Sequence, residues 1–313
     1  MQQKNPGSIV TFQVGDNGCF LYVFVALNAS MKGWPHCIPV VIVDGTFLKS
    51  AHGGTLLVAA IQDAGGKIFP VAFAVVNSEN DGSWDWFFDK IRHAYGLRGD
   101  MTIISDRHES IIKAVSKVYP EIPYGFCIFH LLSNIKSKFK KNSKKIKESF
   151  SAENAYTVKK FEYHMRELDK VDSRIRTFLE EVGYDKWARV HSPNNRFQLD
   201  QLPCGHAIVV LQKANHDPYD CCSPYFTKEA MIHAYEETVF PVGHEDTWVV
   251  PENFKSVALY PPQGRVRVGR PKKRRCKASW EINAKQREQV KCRSCNLYGH
   301  NRRTCRNPPL RVA

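Results

Sequence analysis

The chain has 313 residues, of which 43% are hydrophobic and 12% aromatic, a composition typical of globular proteins. No apolar stretch approaches the roughly 20 residues that a membrane-spanning helix needs, and the first residues lack the basic flank and apolar run of a secretory signal. We therefore expect an intracellular protein with no membrane partner, whose 10 cysteines stay reduced and serve metal binding rather than disulfides.

The net charge of +14 is concentrated in the C-terminal tail. Residues 263–313 hold 16 Lys and Arg but only two acids, so the preceding part of the chain balances 29 basic against 29 acidic side chains. A concentrated basic tail is typical of segments that bind polyphosphate, although a solvated localisation signal has the same composition. The tail predicts DNA or RNA as a partner, and the sequence leaves self-association open.

The apolar patterns of residues 1–135 predict an α/β domain. Runs rich in β-forming residues at 38–47, 55–63, 68–76 and 101–107 predict strands, and amphipathic segments at 84–95 and 110–118 predict helices. Three consecutive strands followed by strand–helix alternation predict a mixed sheet with flanking helices.

Two carboxylates stand at the carboxyl ends of predicted strands. Asp44 ends the apolar run IPVVIVD and Asp106 ends MTIISD, so each is expected at the carboxyl end of a buried strand. Open α/β sheets place their sites at this end, and a pair of carboxylates can share Mg²⁺ or Mn²⁺ for phosphoryl transfer. An Asp after a strand is also the usual residue of a turn or helix cap, which is the alternative interpretation.

The rest of the chain divides by composition. Residues 136–196 predict a charged helical segment with seven Lys between Lys136 and Lys147, and residues 197–255 are irregular and rich in Cys and His. Residues 256–290 are a basic linker. Its Gly-Arg-Pro centre resembles an AT-hook, which lies in the minor groove of DNA, whereas a nuclear localisation signal explains the same residues. Its predicted nucleic-acid contacts are Arg270, Pro271, Lys272, Lys273 and Arg274.

Residues 291–307 carry a C-x2-C-x4-H-x4-C spacing. Three thiolates and one imidazole complete a tetrahedral Zn²⁺ shell, and so small a unit needs metal to fold. This spacing predicts a zinc knuckle that binds single-stranded nucleic acid, with a purely structural or protein-binding knuckle as the alternative. The predicted ligands are Cys292, Cys295, His300 and Cys305. The predicted nucleic-acid contacts are the stacking ring of Tyr298 and the cations of Arg293, Arg302 and Arg303.

Longer stretches resemble the Mutator-like element (MULE) transposases. The resemblance is carried by PVVIVDGTFLKSAHGGTLLVAAIQDAGGKIFPVAFAVVNSENDGSWDWFFDKI, TIISDRHESIIKAVSKVYP and YGFCIFHLLSNIK. It implies a ribonuclease-H-like core with a DDE acidic triad, in which Asp44 matches the first acid and Asp106 the second. Cys127 and His130 match the family's C-x2-H element, and the family's C-terminal SWIM and CCHC zinc modules match the tail.

The chain departs from the family pattern after KWARVHSPNNR, residues 186–196. The segment that supplies the family's third acid is missing, and so is the first C-x-C pair of the SWIM finger, of which Cys204 and His206 match the second half. One internal deletion near residue 196 explains both losses. Glu180 and Glu181 precede it on a predicted amphipathic helix, where surface glutamates are the expected interpretation.

The leading hypothesis is therefore a transposase-derived nuclear protein that binds zinc and nucleic acid and whose core, ribonuclease-H-like but incomplete, is inactive for lack of its third acid. The alternatives are an active Mg²⁺- or Mn²⁺-dependent DNA transposase or nuclease, and a domesticated DNA-binding transcriptional regulator.

Overall fold

The computed structural model describes residues 1–16, 18–49, 53–140, 144–146, 150–152, 155, 157–191, 202–203, 205–248, 260, 292, 295 and 305–307. The chain forms two compact units, Met1–Gly264 and Arg265–Ala313. All the helices and strands described below belong to the first unit.

Among the described residues, seven strands form one mixed sheet in the order β1-β2-β5-β4-β3-β6-β7. The strands are β1 (Ile9–Val14), β2 (Phe20–Ala26), β3 (Ile38–Phe47), β4 (Thr55–Gln62), β5 (Ile68–Val76), β6 (Thr102–Ser105) and β7 (Tyr124–Phe126). The first five pair antiparallel, and β6 pairs parallel with both β3 and β7. The predicted mixed α/β sheet is confirmed.

The β1–β2 hairpin extends the sheet beyond the predicted strands. Its two strands are rich in β-branched and aromatic residues and flank the turn sequence GDNG, a pattern typical of a β-hairpin. Because β2 pairs with β5, the hairpin covers the edge of the sheet that lies farthest from β6 and β7.

Helices α2 (Asp81–Tyr95) and α3 (Glu109–Val118) connect the parallel strands and cover one face of the sheet. On β3, Val41 and Val43 are buried in this core, whereas Ile42 and Asp44 point to the opposite face. Asn80 starts α2 with a reciprocal capping box to Ser83, which satisfies backbone donors at the helix start. This packing fixes β3, which continues past Asp44 to Phe47, and β6, which Asp106 directly follows.

A second core is built by α4 (Ile128–Lys138), α5 (Val158–Val171) and α6 (Arg174–Val182). Leu131, Ile135, Phe161, Met165 and Leu179 are at most 1% exposed in it. Helix α4 runs across the boundary predicted between residues 135 and 136, so it links the sheet to the helical cluster.

The chain then returns to the sheet. The remaining helices are α1 (Asn28–Gly33), α7 (Gly205–Lys213) and α8 (Lys228–Ala234). Helix α8 packs Ala234 into the core of the sheet. A side chain at Gly33 would meet the Ala234 carbonyl at 2.4 Å, so the two backbones are in close contact. The segment predicted as irregular therefore contains helices. Within the described part of the chain, no helix is both long and apolar enough to span a membrane.

Candidate active site and metal centre

The two predicted acids lie on adjacent parallel strands at the same end of the sheet. The β3–β6 register pairs Ile42 with Ile104. Continued by two residues, it sets Asp44 opposite Asp106, which lies directly after β6. Side chains alternate along a strand, so both carboxylates share one sheet face, on strands about 4.8 Å apart. The pairing of β3 with β6 thus puts the two acids on neighbouring segments of the sheet.

Hydrogen bonds from β6 and β7 hold the main chain at Asp106. Its carbonyl accepts a hydrogen bond from the Ser105 hydroxyl and another, at 3.2 Å, from the Tyr124 hydroxyl. Burial raises the pKa of Tyr124 to about 12, so its hydroxyl stays protonated near neutral pH and can donate. The position of Asp106 is therefore fixed from two strands.

Each carboxylate uses one oxygen in a local hydrogen bond. Oδ1 of Asp106 accepts from the His108 amide at 3.2 Å, and Oδ1 of Asp44 accepts from the Gly45 amide at 2.9 Å. The Asp106 bond matches the turn interpretation, whereas Asp44 lies within β3. Among the described residues, neither second carboxylate oxygen has a hydrogen-bond partner, so the bonds do not prevent either acid from holding a cation.

An open cavity of about 430 Å³ lies beside Asp106. Its wall combines charged, polar and apolar side chains from the sheet end and the helical cluster. These are Asp106, Arg107, His108, Ile112, Phe126, Asn134, Glu181 and Val182. The cavity is large enough for a nucleotide-sized group.

The position of Glu181 follows from a contact between the two cores. The Arg107 guanidinium lies 5.0 Å from the centroid of the Phe178 ring on α6. Residues three apart share a helix face, so Glu181 faces the sheet end with Phe178. Its neighbour Glu180 instead accepts from the Tyr184 hydroxyl at 3.2 Å. Sequence reasoning assigned both glutamates to the surface, and no local signal separates them.

Glu79 is a further carboxylate near Asp44 that the sequence analysis did not single out. The indole of Trp84, which is fully buried, donates to Glu79 Oε1 at 3.2 Å. A Cβ at Gly45 would lie 3.0 Å from that same oxygen. Glu79 therefore lies against Gly45 of β3 on the face that α2 covers, whereas the Asp44 side chain points to the opposite face.

The described residues do not bring a third ligand to the acid pair at coordination distance. In this part of the chain, no third Asp, Glu, His or Cys forms a group with Asp44 and Asp106 in which all ligand atoms lie within 4.8 Å of one another. Two-metal sites hold their ions about 3.5–4 Å apart, which requires closer convergence.

The predicted C-x2-H residues begin helix α4. Cys127 is its N-cap, and its amide donates to the Ser105 carbonyl at 2.7 Å, which extends the β6–β7 pairing. His130 has a buried Nδ1 with no hydrogen-bond partner among the described residues. Both lie next to the sheet end that carries Asp106. Their role stays a prediction.

Three of the four predicted knuckle ligands converge in the second unit. The Sγ atoms of Cys292, Cys295 and Cys305 lie within 4.8 Å of one another. Cys292 is fully buried and Cys295 is 9% exposed. The side-chain amide of Asn307 donates to Cys295 Sγ at 3.7 Å, which is the kind of contact that orients a metal-bound thiolate. Burial and the neighbouring thiols raise the pKa of Cys305, as expected for crowded thiols.

Several predicted site residues lie outside the described residues. They are Cys204, Arg270, Pro271, Lys272, Lys273, Arg274, Arg293, Tyr298, His300, Arg302 and Arg303. His206 lies in the first turn of α7, and its side chain is also outside the description. The half SWIM site and the nucleic-acid contacts of the tail therefore stay predictions.

Comparison with known proteins places the acid pair in a recognised domain. Residues 40–134 match the family model of the MULE transposase domain. This range contains both aspartates, Cys127 and His130.

Curated relatives match the same part of the chain. The transposase for insertion sequence element IS256 in transposon Tn4001 of Staphylococcus aureus is 29% identical over 102 residues, which is 32% of this chain and 25% of that protein. The transposase for IS905 of Lactococcus lactis is 23% identical over 177 residues, 50% of this chain and 44% of that protein. Protein FAR1-RELATED SEQUENCE 6 of Arabidopsis thaliana is 24% identical over 138 residues, 44% of this chain and 20% of that protein. The chain thus spans less than half the length of each of these relatives.

Proposed function

The chain carries a MULE transposase domain at residues 40–134, and we propose that the protein is a transposase-derived nuclear protein that binds zinc and nucleic acid. The observation that carries the proposal is the convergence of three thiols within 4.8 Å in a tail rich in Lys and Arg. The basic run at residues 271–275 supports the nucleus as its location.

The sheet supports a ribonuclease-H-like fold for the transposase domain. Three antiparallel strands, β3 to β5, are followed by two parallel strands, with α2 between β5 and β6 and α3 between β6 and β7. Asp44 lies within the first of these five strands, three residues before its end, and Asp106 directly follows the fourth; the family resemblance matches them to the first and second acids.

The thiol cluster fits a structural Zn²⁺ site. Cys292, Cys295 and Cys305 supply three ligands, and His300 is the expected fourth. A bound Zn²⁺ would hold the short loops together and keep the thiols deprotonated. The knuckle would then present Tyr298 and the surrounding arginines to an unpaired strand of DNA or RNA.

The transposase core is proposed to be inactive. Asp44 and Asp106 would hold Mg²⁺ or Mn²⁺, which supplies charge neutralisation and an activated oxygen for phosphoryl transfer. Two carboxylates at the end of a sheet bind such a cation weakly, because hard cations require more oxygen ligands than the pair offers.

Mn²⁺-dependent nicking of supercoiled DNA tests this assignment. We expect the full chain to nick no faster than the Asp44→Ala variant, while both bind single-stranded nucleic acid in a zinc-dependent way. Nicking by the wild type that is lost in the variant would show a working site and contradict the inactive core. Loss of binding in both proteins would contradict the nucleic-acid function.

The position of Glu181 favours one second candidate, an active metal-dependent DNA nuclease or transposase. Glu181 and Asp106 line the same cavity, which makes Glu181 the candidate third acid. Glu181→Gln should then abolish nicking. Glu180→Gln is the matched control, because the Glu180 carboxylate contacts Tyr184 instead.

A further inference from the structure

The segment that begins at the end of α4 carries an unusual concentration of one charge. Residues 136–147 contain seven Lys and no acid. The structure describes Lys136, Lys140, Lys144 and Lys145, which we call the lysine surface, and all but the half-buried Lys136 are exposed. This surface lies in the first unit and is separate from the basic tail.

The lysine surface is carried by packed structure. Ile135, Phe139 and Ile146 alternate with the lysines and are at most 7% exposed in the helical core. Lys138 lies in the same segment, directly before Phe139, and its ammonium is 4.4 Å from the centroid of the Phe178 ring. The apolar residues therefore fix the segment and direct the lysines away from the core.

Among the described residues, the lysine surface differs from the helices around it in its ion pairing. The neighbouring helices pair their charges among themselves, as in Arg176 with Glu162 at 3.4 Å and with Asp169 at 2.8 Å. Arg174 pairs likewise with Asp172 at 2.7 Å. By contrast, Lys136, Lys140, Lys144 and Lys145 have no ion-pair partner within the described ranges. Like charges so close together repel, which favours an anionic partner.

Lys138, which lies between Lys136 and Lys140 of the lysine surface on the chain, is near the rim of the cavity that Asp106 lines. Lys138 and Arg107 both lie within 5.0 Å of the centroid of the same ring, Phe178. Asn134, one helical turn before Lys138, lines the cavity itself. A ligand in the cavity would therefore meet the lysines as it continues along α4.

We propose that the lysine surface binds the phosphate backbone of duplex DNA and directs one strand toward the cavity beside Asp106. Ammonium groups without partners match a polyphosphate, and no base-reading geometry is required. The inference rests on the proposed nucleic-acid function, and it adds a second contact that is independent of the zinc knuckle and the basic tail.

The test measures duplex-DNA affinity of the full chain by fluorescence anisotropy over a range of salt concentrations. Lys140, Lys144 and Lys145 are changed together to Gln, in the wild type and in a second protein whose Arg270, Lys272 and Lys273 are Gln. The matched control changes Lys32, Lys67 and Lys228 to Gln. These are also exposed, but they lie toward the opposite end of the sheet from Asp44.

The lysine-surface variant should bind duplex DNA at least about tenfold more weakly, and its salt slope should fall by about 0.9 for each lost phosphate contact. The control should bind like the parent protein, and circular dichroism should show equal folding. Equal duplex affinity of the variant and the control in both backgrounds would overturn the inference. An effect on RNA alone would overturn it too. Failure of the parent protein to bind any nucleic acid would instead contradict the proposed function.

Discussion

Asp44 and Asp106 are separated by 62 residues and lie on neighbouring segments because β3 pairs with β6, whereas Cys292, Cys295 and Cys305 converge within 14 residues of chain. The acid pair depends on the register of β3 and β6 and on the core beneath it. The thiols depend on short loops and, as proposed, on an ion. The first site should therefore survive loss of metal, and the second should survive damage to the sheet.

Removal of zinc should have the largest effect and should be confined to the tail. Chelation should abolish the zinc-dependent part of single-stranded nucleic-acid binding, because structural zinc contributes about 10–16 kcal/mol to the folding of small zinc modules. The thermal unfolding of the first unit should not change. Metal content and differential scanning calorimetry on the same sample check both parts, and a shift in the main transition would break the separation.

The two sites also differ in how far the sequence predicts them. The thiols could be predicted as a set, because their ligand spacing lies within one short segment and needs no knowledge of the fold. Asp44 and Asp106 could be predicted individually from strand ends, and their neighbours could not. Trp84 packing positions Glu79, and the contact of Arg107 with Phe178 positions Glu181. Neither contact can be predicted from a local sequence pattern. Similarly, the docking of Ala234 against Gly33 depends on the folded sheet.

Damage to the core beneath the acid pair should have the next largest effect. Trp84 is fully buried and its indole donates to Glu79, so Trp84→Ala should lower the free energy of unfolding by about 3–5 kcal/mol. Chemical denaturation measures this loss. Zinc content should stay the same.

Trp248 offers a matched control for the core variant. It is 57% exposed, so Trp248→Ala should change stability by no more than about 0.5 kcal/mol. If Trp84→Ala lowered zinc content as well, the tail would depend on the sheet and the comparison between the two sites would be wrong.

Loss of one hydrogen bond at the acid pair should have a smaller effect. Tyr124→Phe removes the donor to the Asp106 carbonyl and the contact with Ser105, and should cost about 1 kcal/mol of stability. Tyr163→Phe is the control, because Tyr163 is 56% exposed and has no hydrogen-bond partner in the described part of the chain. Equal stability of the two variants would show that the hydroxyl network does not hold the end of β6.

The smallest effect should come from Asp81, and it should depend on pH. The hydrogen bonds from Ser110 and then Lys113 lower the pKa of Asp81, and this carboxylate joins α2 to α3 beneath the acid-bearing strands. A carboxylate whose pKa is lowered by folding contributes stability above its unfolded pKa and loses it as the pH falls through the folded value. Asp81→Asn should therefore melt slightly below the wild type at neutral pH and converge with it in strong acid. Asp89→Asn, on the same helix, should show no such convergence, because the ion pair of Asp89 with its neighbour Lys90 is on the exposed surface. A constant difference for Asp81→Asn at all pH values would show that the α2–α3 contact stabilises the sheet by packing rather than by charge.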